Sequence, residues 1–193
     1  METIKAIETE YKGYRFRSRL EARWAVFFDA CNAQWEYEPE GFVLPSGKYY
    51  LPDFLIHNVD GRHTGDLWIE VKGKMTKEDA DKIEEFWNQG ENPILVVTVM
   101  PTGNTADDLY NFTAGYAYDR DNEEWYNAEP YNFENIDGDY FGVGIYAKKN
   151  GGIYLDDANH NFYDERYIDE PLTCKAFKIA RQARFEHGES PKF

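Results

Sequence analysis

Two short segments of this 193-residue chain carry side chains whose types and spacing suit chemistry: Tyr50-Leu51-Pro52-Asp53-Phe54 and Trp68-Ile69-Glu70-Val71-Lys72-Gly73. In an extended strand alternate side chains emerge on the same face, so Glu70 and Lys72 project together while Val71 turns to the core. Between the segments lies a turn cluster, Asn58 to Gly65. A hairpin turning about Gly61–Arg62 places Asp53 opposite Glu70. Two carboxylates and one lysine converging on a twisted hairpin suit phosphodiester hydrolysis. Carboxylate oxygens, joined by the Val71 backbone carbonyl, are hard ligands for Mg²⁺ or Mn²⁺. Such an ion acidifies an attacking water and neutralises charge on the scissile phosphate. Lys72 is then placed to orient the water or to stabilise developing negative charge. A Glu-x-Lys pair on a strand is also ordinary surface charge. The neighbouring Pro-Asp, the apolar flanks and a preceding helix that carries a glutamate favour a metal site.

The elements that must position these groups are readable from periodicity. Ser18 to about Asn32 reads as a helix, with Ser18 as N-cap and Leu20, Trp24, Phe27, Phe28 and Cys31 as its apolar stripe. Glu21, three residues after Ser18, fits the return half of a capping box, and it equally fits a ligand reaching the sheet. Tyr11 to Arg17 reads as a short strand or extended lead-in. Strand signals follow over Gln34–Glu38, Glu40–Leu44, Lys48–Ile56 and Leu67–Val71, with Pro52 marking an edge or bulge. Thr76 caps a second helix ending near Gly90, and Ile94 to Val99 is a continuous apolar run of the kind a doubly buried strand shows. A last helix is predicted over Thr173–His187. The expected fold is α/β in the broad sense, an α+β sandwich with a mixed central sheet flanked by helices. One domain is expected to span 1–193, with a core over 11–100 and a β-rich, aromatic elaboration over 101–171.

Composition narrows the function classes. The hydrophobic fraction of 42% and aromatic fraction of 17% describe a globular chain. The longest apolar run, Ile94 to Met100, falls far short of the ~18–20 residues of a membrane span. The first residues show no secretory leader pattern, and Cys31 and Cys174 form neither a CxxC nor a disulfide framework, so a cytoplasmic protein is expected. The net charge of −15 is concentrated: 101–171 holds sixteen acidic residues against four basic, while 1–30 and 172–193 are neutral to basic. Arg15, Arg17 and Arg19 precede the first helix, and Lys175, Lys178, Arg181 and Arg184 lie along the last. Both sets are candidates for gripping phosphates; ordinary solvated charge is the alternative for the first and the favoured reading for the last helix.

Taken in order, Phe16-Arg-Ser-Arg-Leu-Glu21-Ala-Arg-Trp-Ala25, Trp35-Glu-Tyr-Glu-Pro39, Tyr50-Leu-Pro-Asp53-Phe54 and Ile69-Glu-Val-Lys72 resemble the PD-(D/E)XK nuclease superfamily. The likeness is to its small phage-encoded members and to the end-cleaving nuclease subunits of transposases. It runs over about residues 11–100. The resemblance implies a restriction-endonuclease-like core and Mg²⁺-dependent (or Mn²⁺-dependent) DNA endonuclease activity. It implies a site of Glu21, Asp53, Glu70 and Lys72, with Glu21, Asp53, Glu70 and the Val71 carbonyl on the metal. Glu38, before Pro39, takes an accessory position. DNA is the expected partner, a phage-encoded protein acting in the host cytoplasm the expected setting, and a membrane is not expected. A protein engaging 101–171 and a second copy of the chain are further partners open at this stage. A competing expectation is a binding protein on a nuclease scaffold that works through the acidic segment.

Overall fold

The computed structural model describes residues 6–61, 64–73, 76–90, 93–97, 100–101, 115–119, 124–128, 131–134, 140–157 and 166–186, with side chains described outside 115–143 and 156–157. The chain opens with a hairpin, β1 (Thr9–Tyr11) and β2 (Tyr14–Phe16), where a single extended lead-in is predicted. Lys12 and Gly13 both take positive φ, 49° and 82°, the conformation a two-residue hairpin turn needs to match strand twist. Helix α1 (Arg19–Ala30) follows, then the short strands β3 (Trp35–Tyr37), β4 (Phe42–Val43) and β5 (Tyr49–Tyr50). The long hairpin β6 (Phe54–Gly61) and β7 (Gly65–Val71) leads to α2 (Lys77–Gly90) and β8 (Ile94–Val97). Strands β9 (Gly115–Asp119), β10 (Glu124–Ala128), β11 (Tyr131–Glu134), β12 (Tyr140–Ala147) and β13 (Ile153–Asp157) precede α3 (Glu170–Gln182).

The central sheet is mixed, with strand order β11-β12-β13-β6-β7-β8 and β3 also paired to β6. Strand β6 is antiparallel to β7 and β3, and parallel to β13; β7 is parallel to β8. Helices and a mixed sheet make this an α+β protein, as the periodicity predicts. Strands β11, β12 and β13 are continuous with the central sheet, because β13 pairs with the end of β6 through Asp60 and Gly61, while β9 and β10 form a two-stranded sheet of their own. Gly61 has φ +98°, and a Cβ there would lie 2.0 Å from the Leu155 carbonyl oxygen, so the junction accepts only glycine.

Helix α1 is the middle layer. Ala22, Trp24, Ala25, Val26, Phe27 and Phe28 are all buried, since the helix is covered by the sheet on one side and α3 on another. Phe28 meets Phe54 of β6 edge-on at 5.4 Å, and Phe27 stacks on Phe177 of α3 at 4.1 Å. On the opposite sheet face, Phe86 of α2 packs on Trp68, Tyr50 and Phe42. Such aromatic pairs add ~0.5–1.5 kcal/mol each beyond their buried area.

Helix α3 departs from its predicted span of 173–187. Asp169 caps it by accepting from the Leu172 N–H at 2.9 Å, and Pro171 sits in the first turn, where its missing N–H is harmless. It ends at Gln182, so Arg184 lies beyond the helix. No helix among the described residues is long and apolar enough to cross a membrane.

Candidate active site

Strand register decides which groups meet. Phe54 faces Ile69, Leu55 faces Trp68 and Ile56 faces Leu67, so one further step sets Asp53 across from Glu70. The Phe54–Ile69 face looks toward α1, which leaves Trp68, Glu70 and Lys72 on the side of α2. Glu21 approaches from α1 on the other side of the sheet. Asp53 stands between them, just before β6 begins.

Each carboxylate is buried and fully partnered. Asp53, 2% exposed, accepts from the Val71 N–H at 2.6 Å through Oδ2 and from the Arg17 guanidinium at 2.5 Å through Oδ1. Glu70, also 2% exposed, accepts from the Tyr50 hydroxyl at 2.8 Å and pairs with Lys72 Nζ at 2.7 Å. Glu21, 6% exposed, accepts from Ser18 Oγ and the Tyr37 hydroxyl, both at 2.7 Å, and from the Arg17 N–H at 3.1 Å. Ser18 caps the Glu21 N–H at 3.2 Å as predicted, but the glutamate's return bond goes to Arg17, one residue before the cap. Glu21 thus braces the helix start through Ser18 and Arg17 without closing the capping box on the Ser18 N–H, and its charge reaches Asp53.

The basic groups are equally fixed. Lys72 Nζ bridges Glu70 and Asp79, the latter at 3.1 Å from the first turn of α2. Asp79 is held there by a capping box with Thr76, accepting from its N–H and hydroxyl while Thr76 Oγ caps the Asp79 N–H. Arg17 Nε pairs with Glu38 at 2.8 Å, which gives Glu38 the task of anchoring the arginine.

Burial, then the charges of Glu70 and Glu21, push the Asp53 carboxyl up to about 8, against the opposing pull of the Val71 amide and Arg17. Burial disfavours the Lys72 ammonium, yet Glu70 and Asp79 outweigh it and hold its pKa above the ordinary lysine value. Burial and the neighbouring Glu70 raise the Tyr50 hydroxyl well above the usual phenol range. Tyr37 is raised by burial and its bond to Glu21. Both tyrosines therefore remain hydrogen-bond donors.

Among the described residues no three acidic, histidine or cysteine side chains form a ready-set ion cage. Glu21 and Glu70 flank Asp53 from opposite sheet faces, and Arg17 and Lys72 take carboxylate oxygens that an ion would share. Carboxylate oxygens are the donor type that a hard divalent cation takes, and these three are buried, one of them destabilised in its charged form by the other two. A strand residue points its N–H and C=O toward the same edge. Since the Val71 N–H reaches Asp53, its carbonyl lies on that edge as well.

Other predicted contacts fall elsewhere. Arg15 pairs with Glu8 on the β1–β2 hairpin, Arg19 with Glu186, and Arg181 with the Pro101 carbonyl. Of Arg15, Arg17 and Arg19, Arg17 is the one that enters the site. Tyr37, Tyr50 and Asp79 are site residues that motif reading misses. Tyr50→Phe keeps the ring against Phe86 but removes the donor to Glu70. An unpartnered buried acceptor of this kind costs ~1–3 kcal/mol, and loss of ligand orientation ~10–100-fold in metal affinity. Isothermal titration with Mn²⁺ is expected to show that weakening; unchanged affinity would remove Tyr50 from the site.

In comparisons with known proteins, no family model and no curated protein matches this chain.

Proposed function

We propose that this chain is a metal-dependent deoxyribonuclease that hydrolyses internal phosphodiester bonds of DNA. The observation that supports it most is Asp53, buried between Glu70 and Glu21 with its carboxyl raised to about 8, beside a lysine fixed on Glu70. Asp53, Glu70, the Val71 carbonyl and Glu21 are the residues that would hold Mg²⁺ or Mn²⁺. The ion would supply charge neutralisation at the scissile phosphate and acidify the attacking water.

The chain's own groups divide the remaining work. Lys72, kept protonated by Glu70 and Asp79, is a donor and not a base, so it stabilises negative charge growing on phosphate oxygens. Tyr50 and Tyr37 fix the orientations of Glu70 and Glu21. Arg17 is half-exposed and offsets part of the push of the acidic neighbours on Asp53. As water attacks phosphorus it gives up a proton to bulk solvent, the P–O bond to the leaving oxygen breaks, and that oxygen takes up a proton from solvent.

The direct test incubates the 193-residue chain with duplex, single-stranded and branched DNA in Mg²⁺, in Mn²⁺ and in EDTA. Cleavage with either ion and none in EDTA is the expected result. Absence of cleavage on all three substrates with both ions overturns the reading.

A further inference from the structure

A second charged feature lies away from the carboxylates. The first turns of α1, the last turn of α3 and the segment that follows it form a groove lined by Arg19, Arg23, Arg181 and Arg184, with Gln182, Ala183 and Glu186 completing its walls. Four guanidinium groups thus face a single carboxylate in a chain of net charge −15. Glu186 engages Arg19 at 2.7 Å, and Arg181 is anchored to the Pro101 carbonyl. Among the described residues the Nε atoms of Arg19 and Arg23 are buried with no hydrogen-bond partner. Buried donors in that state are costly and rare unless something outside the chain satisfies them.

The lining decides the class of partner. Protein interfaces centre on aromatic or aliphatic anchors, and this groove contributes none larger than Ala183. Guanidinium forks match phosphate oxygens bidentately, and several arginines in one groove suit several phosphates. Arg19 and Arg23 share one face of α1, being four residues apart, while Glu21 lies about 200° around the helix from Arg19. The groove and the carboxylate site therefore flank α1 on opposite sides, separated by roughly a helix diameter of ~10 Å.

We propose that this arginine groove binds the phosphodiester backbone of nucleic acid, holding phosphates remote from the one that is cut. The assignment rests on the nuclease reading for its biological sense, but it is tested without cleavage. Fluorescence anisotropy of a labelled DNA duplex in EDTA compares the wild-type protein with Arg23→Glu and Arg184→Glu, and with Lys178→Glu on the exposed face of α3 as control. Each groove variant is expected to weaken binding ~10-fold and to reduce the salt slope by about one, with Lys178→Glu within about twofold of wild type. Thermal melting accompanies each variant; if Arg23→Glu melts early, the exposed Arg184→Glu carries the test. Unchanged affinity and slope in both groove variants overturns the proposal, as does equal weakening by Lys178→Glu. Binding of inorganic phosphate that is lost in the groove variants, with DNA affinity unchanged, reassigns the groove to free phosphate and also overturns it. If wild type fails to cleave any DNA yet the groove variants bind less, the nuclease reading falls and the groove stands. Cleavage with groove variants that bind normally gives the reverse.

Discussion

Asp53→Ala is expected to lower Mg²⁺-dependent cleavage by roughly 10³-fold, and Lys72→Ala by roughly 10²–10³-fold, with both proteins folded. Asp53 is the carboxylate that Glu70, Glu21, Arg17 and the Val71 amide all address. Its removal takes away an oxygen that the proposed ion would use and leaves the Arg17 guanidinium to Glu38 and Tyr37. Lys72 contributes differently, as a permanent positive charge locked by two carboxylates. Its raised pKa predicts that activity does not fall near neutral pH through loss of the lysine proton. Steady-state cleavage of a labelled duplex, with circular dichroism and melting as fold controls, measures both losses. Retention of activity within about threefold of wild type in both variants would sink the site assignment. An inactive Lys72→Ala beside a fully active Asp53→Ala would place the chemistry elsewhere on β7.

How far the sequence leads is set by whether a feature depends on neighbours in the chain or in space. The Asp53–Glu70 juxtaposition was legible because hairpin register follows from turn position, and the register holds from Phe54 to Ile56. Beyond Ile56 it slips: Val59 faces Gly65, and Asn58 takes φ 55° in between. An asparagine tolerates that left-handed conformation, but nothing local says that it adopts it. The start of α3 was readable from Asp169 and Pro171, and taking the proline as the end of the acidic segment concealed it. The Lys12-Gly13 turn was hidden for a similar reason, since lysine is an unusual occupant of positive φ. Tyr37, Tyr50 and Asp79 are a separate matter. Their roles depend on partners sixteen, twenty and seven residues away, brought close only by folding. In sequence Arg17 is a candidate for gripping phosphates or for solvated charge. Its ion pairs with Asp53 and Glu38 follow from where β6 begins and from the turn at Glu38, whose φ is 46° and whose N–H bonds the Asp53 carbonyl.

The raised carboxyl of Asp53 carries a consequence for stability whose sign is fixed. An unfolded aspartate titrates near 3.8, and the folded one at about 8. Between those values the folded state binds more protons than the unfolded, so stability falls as pH rises across the window. Below pH 4 both states are protonated and the penalty is absent; above 8 it is complete. A four-unit difference would formally approach 5–6 kcal/mol at ~1.4 kcal/mol per unit, but Glu70 and Glu21 share the repulsion, so a loss of ~2–4 kcal/mol is expected. Asp53→Asn keeps an acceptor for the Val71 N–H and cannot ionise. In EDTA it is therefore expected to melt above wild type at pH 8.5, with the gap closing toward pH 4.5. Added Mg²⁺ or Mn²⁺ should raise the wild-type melting temperature most at the alkaline end, because the ion binds the deprotonated carboxylate, and should do little for the asparagine variant. Differential scanning calorimetry at the two pH values, with and without the ion, reads all four terms. A melting difference between the two proteins that stays constant with pH would show that Asp53 is not strained by its acidic neighbours. The case for a site built to receive a cation would then lose its electrostatic ground, since the same repulsion that weakens the fold is what a bound cation relieves.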